Sequence, residues 1–222
     1  MRKIIFTFGF LAAITAAYAQ NDSLNRSRNN SEIKTLFDSD GITSHGIYAG
    51  CSMYYTQIAG RNAFVGGIKG AWVIDHVFEV GGELNGFLSE PLPDVTLSNS
   101  YYLYSGAYGG LLFATNLFPQ KAINLAIPIS IGAGGVAYVG NYYYFSEDYE
   151  YYPESYYAYF YVQPGLELQF NMTQHFRLAI HGSYRYTSNI YLEYSGGTGQ
   201  IIGNNNLMNG FNAGITLKIG KF

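Results

Sequence analysis

The chain has 222 residues, a formal net charge of -3, 12% charged residues and 18% aromatics. A soluble domain carries about 25% charged residues, so the composition excludes an ordinary solvated surface. No basic cluster lies beyond the N-terminal segment, so nucleic acid has no electrostatic footprint here. Cys51, the single cysteine, excludes an internal disulfide and a cysteine-built zinc site.

In chain order, residues 1–19 read as a secretory signal. Arg2 and Lys3 supply the charged start, residues 4–14 the apolar run, and Ala17-Tyr18-Ala19 the small-x-small cleavage site before Gln20. That run is too short for a spanning helix, and residues 23–28 lack a lipidation cysteine. Residues 20–44 are rich in Asn, Ser and Asp and read as a periplasmic N-terminal linker, with a short amphipathic turn at 32–38 the alternative. From residue 45 to 222 the pattern predicts eight strands: 46–57, 62–74, 77–88, 101–117, 123–139, 157–170, 176–187 and 209–220. The connections after the second, fourth and sixth are tight; those after the third, fifth and seventh are long. Residues 58–61 form an unusually short first external connection, and the first strand alternates least clearly.

The faces of these strands differ in kind. In 176–187, Phe176, Leu178, Ile180, Tyr184 and Tyr186 point one way, while Arg177, His181, Ser183 and Arg185 point the other. The same phase puts Phe78, Val80, Leu84 and Leu88 on the apolar side. It also puts Ile123 to Ile131 (odd positions), Phe160, Val162, Leu166, Leu168, Phe170, Phe211, Ile215, Leu217 and Ile219 there, with glycines and charges opposite. Cys51 is expected to face lipid. No apolar run after the signal reaches the ~18 residues of a spanning helix. The fold class is therefore all-β: an eight-stranded antiparallel transmembrane β-barrel, closed because hydrocarbon cannot satisfy a sheet edge. A lipocalin-like soluble barrel, with the apolar face inside, is the structural rival; its charge-poor outer wall would solubilise it badly. Pro128 and Pro164 fall inside strands and predict an irregular patch, with a bulge near Gly132 and Gly165.

Phe64-Val65-Gly66-Gly67, the run Ile131-Gly132-Ala133-Gly134-Gly135-Val136-Ala137-Tyr138 and Phe176-Arg177-Leu178-Ala179-Ile180 carry a resemblance to the small outer-membrane barrels of Gram-negative bacteria. They are similar to the OmpA/OmpX-like group of Bacteroidetes type, over residues 45–222. The resemblance implies short periplasmic turns, longer extracellular loops and a bacterial outer-membrane location. It implies outer-membrane lipid, periplasmic chaperones and the barrel-insertion machinery as partners, and a scaffold mostly without an assigned activity. Phe222 ends the chain as insertion substrates often do, but out of phase with Leu217 and Ile219.

Eight ionisable residues fall on the inner face: Lys69, Glu79, Glu83, Glu167, Arg177, His181, Arg185 and Lys218. Narrow barrels are filled by side chains, and unpaired buried ions cost several kcal/mol, so these predict an ion-pair core. A three-residue loop at Asp75-His76-Val77 would set Lys69 opposite Glu83. Gln169 would then face Arg177, with Glu167 diagonal to Arg177 and His181. A gated or narrow polar path, a channel for small or hydrophobic solutes, is the functional alternative. A lipid-modifying enzyme is another, and would rest on His181 with Ser183 and Glu167, since acid–base chemistry needs a base near its nucleophile. The segment 140–156 is the compositional anomaly. Tyr142, Tyr143, Tyr144, Tyr149, Tyr151 and Tyr152, with Glu147, Asp148, Glu150 and Glu154, suit an exposed loop binding an unknown extracellular ligand, while the residues nearest the strands suit the interfacial aromatic belt equally well. The Gly/Asn-rich loop 188–207 is a second candidate. The carboxylate spacing matches no calcium loop, and no metal or cofactor is expected. The reading is thus a non-enzymatic surface barrel, structural or binding through its loops.

Overall fold

The computed structural model describes residues 45–97, 100–140, 153–194 and 200–222; segments 1–19 and 20–44 lie outside them. The strands are β1 (His45–Ile58), β2 (Arg61–Ile74), β3 (Phe78–Ser89), β4 (Leu92–Asp94), β5 (Ser100–Asn116), β6 (Ile123–Gly140), β7 (Pro153–Asn171), β8 (Phe176–Thr187) and β9 (Gly210–Lys221). All pairings are antiparallel. β3 pairs with β5 and β9 with β1, so eight strands close into a barrel with no free edge. The three-residue β4 is an addition on the start of β5, followed by a 3-10 turn at Val95–Leu97. It subdivides what the sequence pattern leaves as a plain loop.

The alternation predicted from sequence is the alternation observed. Ile47, Phe160 and Phe211 are 70%, 74% and 75% exposed on the outer face, whereas Glu79, Glu167 and Lys218 on the inner face are each 1% exposed. An apolar outer wall over a charged interior removes the lipocalin-like alternative and meets the requirement for lipid contact. Cys51 is on the outer face. The first strand, where alternation looks weakest in sequence, alternates without a fault from His45 to Ile58. Its turn explains the short connection: Ala59 and Gly60 both take positive φ, as a two-residue hairpin with right-handed strand twist requires.

The connections separate into two ends. The termini of the barrel and the connections 75–77, 117–122 and 172–175 form the turn end; 59–60 and the described residues 90–97, 188–194 and 200–209 form the loop end. β5, β6 and β7 run for 17, 18 and 19 residues, against 12 for β8 and β9. At about 3.3 Å per residue, the surplus carries this three-stranded wall well past β8, whose last partner on β7 is Tyr161.

Two expectations need correction. Ladder pairing lapses around Pro128 and Pro164, but the β6–β7 register is the same on both sides; the one shift between these strands is at Tyr138/Val139. A missing amide is tolerated locally without an inserted residue, so no bulge forms at the prolines. The sixth long strand starts at Pro153, not 157, so Glu154 is part of β7.

Inner glycines set the bore. Gly110 and Gly132 pair across β5–β6, and a Cβ on Gly110 would lie 2.2 Å from the Ile131 carbonyl oxygen and 2.6 Å from the Gly132 Cα. Gly66, on the outer face, has nothing within 4 Å of such a Cβ. Gly110→Val is expected to cost at least about 1–3 kcal/mol by overpacking and to abolish the compact, heat-modifiable band on semi-native gels, whereas Gly66→Ala leaves that band unchanged.

Candidate functional site

Inside the barrel, side chains form successive floors from the turn end to the loop end. Phe222 closes the first. Its ring turns inward, 5.6 Å from the Tyr48 ring and 3.9 Å beneath the Arg177 guanidinium, and its carbonyl oxygen accepts a 2.6 Å hydrogen bond from His76 Nδ1. This accounts for the phase of Phe222: it serves the lumen, not the lipid face.

Above it two carboxylates gather the cations. Glu167 receives Lys69 Nζ on Oε1 and Lys218 Nζ on Oε2, both at 2.6 Å, and Gln169 Nε2 at 3.0 Å. Glu79 receives Tyr48 Oη at 2.8 Å and Asn116 Nδ2 at 2.9 Å, with Lys218 at 3.6 Å and Arg177 at 4.0 Å. Asn124 donates to Asn116 and Gln169, and Arg177 Nη1 donates to Gln169 Oε1 at 3.1 Å. Charge-assisted bonds on every carboxylate oxygen offset the desolvation that would otherwise expel such a cluster.

Of the eight inward residues, Lys69, Glu79, Glu167, Arg177, His181 and Lys218 meet here. Lys69 does pair in register with Glu83, but its ammonium reaches across the lumen to Glu167; Glu83 instead accepts from Tyr161 Oη at 3.2 Å. Strand neighbours sit side by side, while a long side chain in a narrow bore finds its partner opposite. The β7–β8 register also differs from expectation: Gln169 faces Ala179, and Glu167 faces His181, whose Nδ1 lies 3.6 Å from Oε1. Arg185 does not join the ion pairs; it lies one storey higher, beneath the loop-end closure.

That closure was hidden in sequence. Composition casts residues 188–207 as an exposed binding loop, but the described residues 188–194 and 200–209 fold back into the mouth. Ile190, Leu192 and Met208 are 0% exposed, and Ile202 and Leu207 2%, packed against Ile58, Tyr104, Tyr138 and Tyr159. Backbone bonds stitch the plug to the rim, from Ala59 N to Leu207 O and from Ser188 N to Phe160 O. The paired apolar residues at 190/192, 201/202 and 207/208 were the available signal; among so many Gly and Asn residues they are easily passed over.

Asp94 clasps the plug. It accepts from Tyr138 Oη at 2.7 Å, Tyr194 Oη at 2.8 Å and the Thr96 amide at 2.9 Å. Burial opposes its charge, but the two phenols and the amide prevail and hold the carboxyl below the usual aspartate range. Arg61 spans the same mouth, bonding the Tyr102 carbonyl at 2.7 Å and covering the Tyr104 and Tyr138 rings. Of the tyrosine-rich candidates, Tyr142, Tyr143, Tyr144, Glu147, Asp148, Tyr149, Glu150, Tyr151 and Tyr152 lie outside the described residues, and Glu154 sits at the start of β7. Among the described residues no group of three or more His, Cys, Asp or Glu could hold a metal.

The chain is an eight-stranded antiparallel barrel of the outer-membrane type, with a lumen closed at two levels. Neisserial surface protein A has this fold: TM-score 0.52, 9% identity, 82% of this chain and 99% of that one covered. Ail, the attachment invasion locus protein of Yersinia pestis, is matched at TM-score 0.42 and 14% identity, over 80% and 97% of the two chains. The N-terminal barrel of Pseudomonas aeruginosa OprF is matched at 0.37 and 10%, over 78% and 96%. No protein-family model and no curated protein matches the sequence.

Two outcomes follow. Glu167→Gln strands Lys69 and leaves Lys218 only Glu79 at 3.6 Å, and should cost about 3–5 kcal/mol, read from urea unfolding in phospholipid vesicles through Trp72 fluorescence; Glu83→Gln should cost much less. Because the folded Asp94 carboxyl titrates below its unfolded value, its clasp is in force above the usual aspartate range and is lost as pH falls through the lowered value. Amide exchange at Ile190 and Ile202, corrected for intrinsic rates, should therefore quicken on that acid limb, and Asp94→Asn should flatten the dependence.

Proposed function

We propose that the protein is a sealed outer-membrane barrel without enzymatic activity that presents residues 141–152 to a macromolecular or glycan partner outside the cell. The observation that carries this reading is the double closure of the lumen: the Glu79–Glu167 floor below and the Ile190–Met208 plug above. An interior so filled serves stability, which leaves the loop end as the surface free to act. The tall β5–β7 wall supports the same reading, since the ends of β6 and β7 that the tyrosine-rich segment joins stand beyond the last β8 pairing. Tyrosines there offer amphipathic contact at low entropy cost.

The turn end, carrying both barrel termini, faces the periplasm in this reading, where chaperones and the insertion machinery would meet the nascent chain. His181 is poorly placed for catalysis. It is buried in the lumen, its ring 5.0 Å from the Tyr54 ring, and the Ser183 hydroxyl already accepts from Gln163 Nε2 at 3.0 Å. A lipid substrate on the outer face has no described route to it.

In planar bilayers the purified barrel should give no discrete conductance steps; unitary steps would remove the sealed-lumen reading. Deleting residues 147–152 should leave folding intact while abolishing binding to immobilised glycans and extracellular-matrix proteins. His181→Ala should leave the outer-membrane lipid profile unchanged.

A further inference from the structure

Arg185 is 0% exposed, yet it belongs to none of the ion pairs among the described residues. Its Nε donates to the Met208 carbonyl at 3.0 Å and its guanidinium lies 4.9 Å over the Tyr108 ring, but Nη1 and Nη2 have no acceptor. The hydroxyls of Tyr108 and Tyr159 are also buried and without a partner, and the two residues lie side by side over Gly134, where a Cβ would meet both. Four unmet donor groups therefore share one storey beneath the plug. A buried guanidinium left without a counter-charge is among the costliest arrangements a protein can hold.

Charge balance points the same way. The inner face carries Lys69, Arg177, Arg185 and Lys218 against Glu79, Glu83 and Glu167, an excess of one positive charge before His181 is counted. Glu79 and Glu167 are engaged by Lys69, Lys218 and Arg177, and Glu83 by Tyr161 and the field of Lys69. Gln163 Oε1 and Asn212 Oδ1 are unmet acceptors in the lumen, suited to water.

We propose that the Arg185 Nη atoms, with the Tyr108 and Tyr159 hydroxyls, bind one monovalent anion of halide size inside the closed barrel. A single charge completes the balance, whereas a dianion would overshoot it. The anion neutralises Arg185 while its Nε keeps hold of Met208, so the site secures the plug from below. This goes beyond the surface-binding reading and does not depend on it.

The test is to crystallise the full-length processed protein with bromide replacing chloride and to measure anomalous scattering. A peak within hydrogen-bond distance of the Arg185 guanidinium, lost in Arg185→Gln, is the expected result. Thermal unfolding of the wild-type protein in detergent gives a second arm. Its midpoint should rise with chloride and saturate, and should stay flat in gluconate at matched ionic strength. If the wild-type crystal shows only water beside Arg185, or the midpoint follows ionic strength regardless of the anion, the proposal fails. Both wild-type arms stand even if Arg185→Gln does not fold.

Discussion

Glu167 is the centre on which the interior depends. A carboxylate that binds two ammonium groups at 2.6 Å, one from β2 and one from β9, ties three strands on different sides of the bore to one point. A barrel of eight strands has no apolar core in the usual sense, because its greasy residues face outward. What fills the space is chosen by electrostatics. Ions sealed from water tolerate no vacancy in their partners, so the network confers a single arrangement as much as it confers stability. Phe222 below it and the glycine pairs around it follow from the same constraint: the bore must be narrow enough for opposite walls to touch.

The loop end solves a different problem. Beyond the bilayer the long β5–β7 wall would expose the edge of β7 to other chains, a hazard for any sheet. Residues 188–194 cover it, bonding Phe160 and Ser155 of β7, while the apolar residues of 188–194 and 200–209 enter the mouth. One segment thus blunts an edge and closes a channel. Asp94 then joins the added β4 strand to that plug through Tyr194, and to β6 through Tyr138. The polar floor and the apolar plug are held by unlike forces, so a change that weakens one need not open the other.

The strand layout was legible because a period of two forces every inner residue to share its environment with residues two places away. Burial of Glu79, Glu167, Arg177 and Lys218 on one side, and exposure of Phe78, Leu166 and Ile219 on the other, is readable from phase alone. Phase does not state which charge meets which. Lys69 was correctly set beside Glu83 but bonds Glu167, a residue 98 positions away, because contact across a lumen depends on strand tilt and bore. Phase does not fix the β7–β8 register either, because a hairpin with a multi-residue turn can be zipped in more than one way that keeps the apolar phase.

Sequence by itself determined that this chain buries charge and exposes grease, and with it the barrel, the eight strands and the two unlike ends. Local periodicity suffices for that, since the rule acts residue by residue along one strand. Tertiary structure alone decided the partners inside: Glu167 over Glu83 for Lys69, Arg185 left apart from the carboxylates, and a polar-looking loop turned into a plug. Those outcomes depend on distances across a closed cylinder, and such distances come into being only when the first strand meets the last.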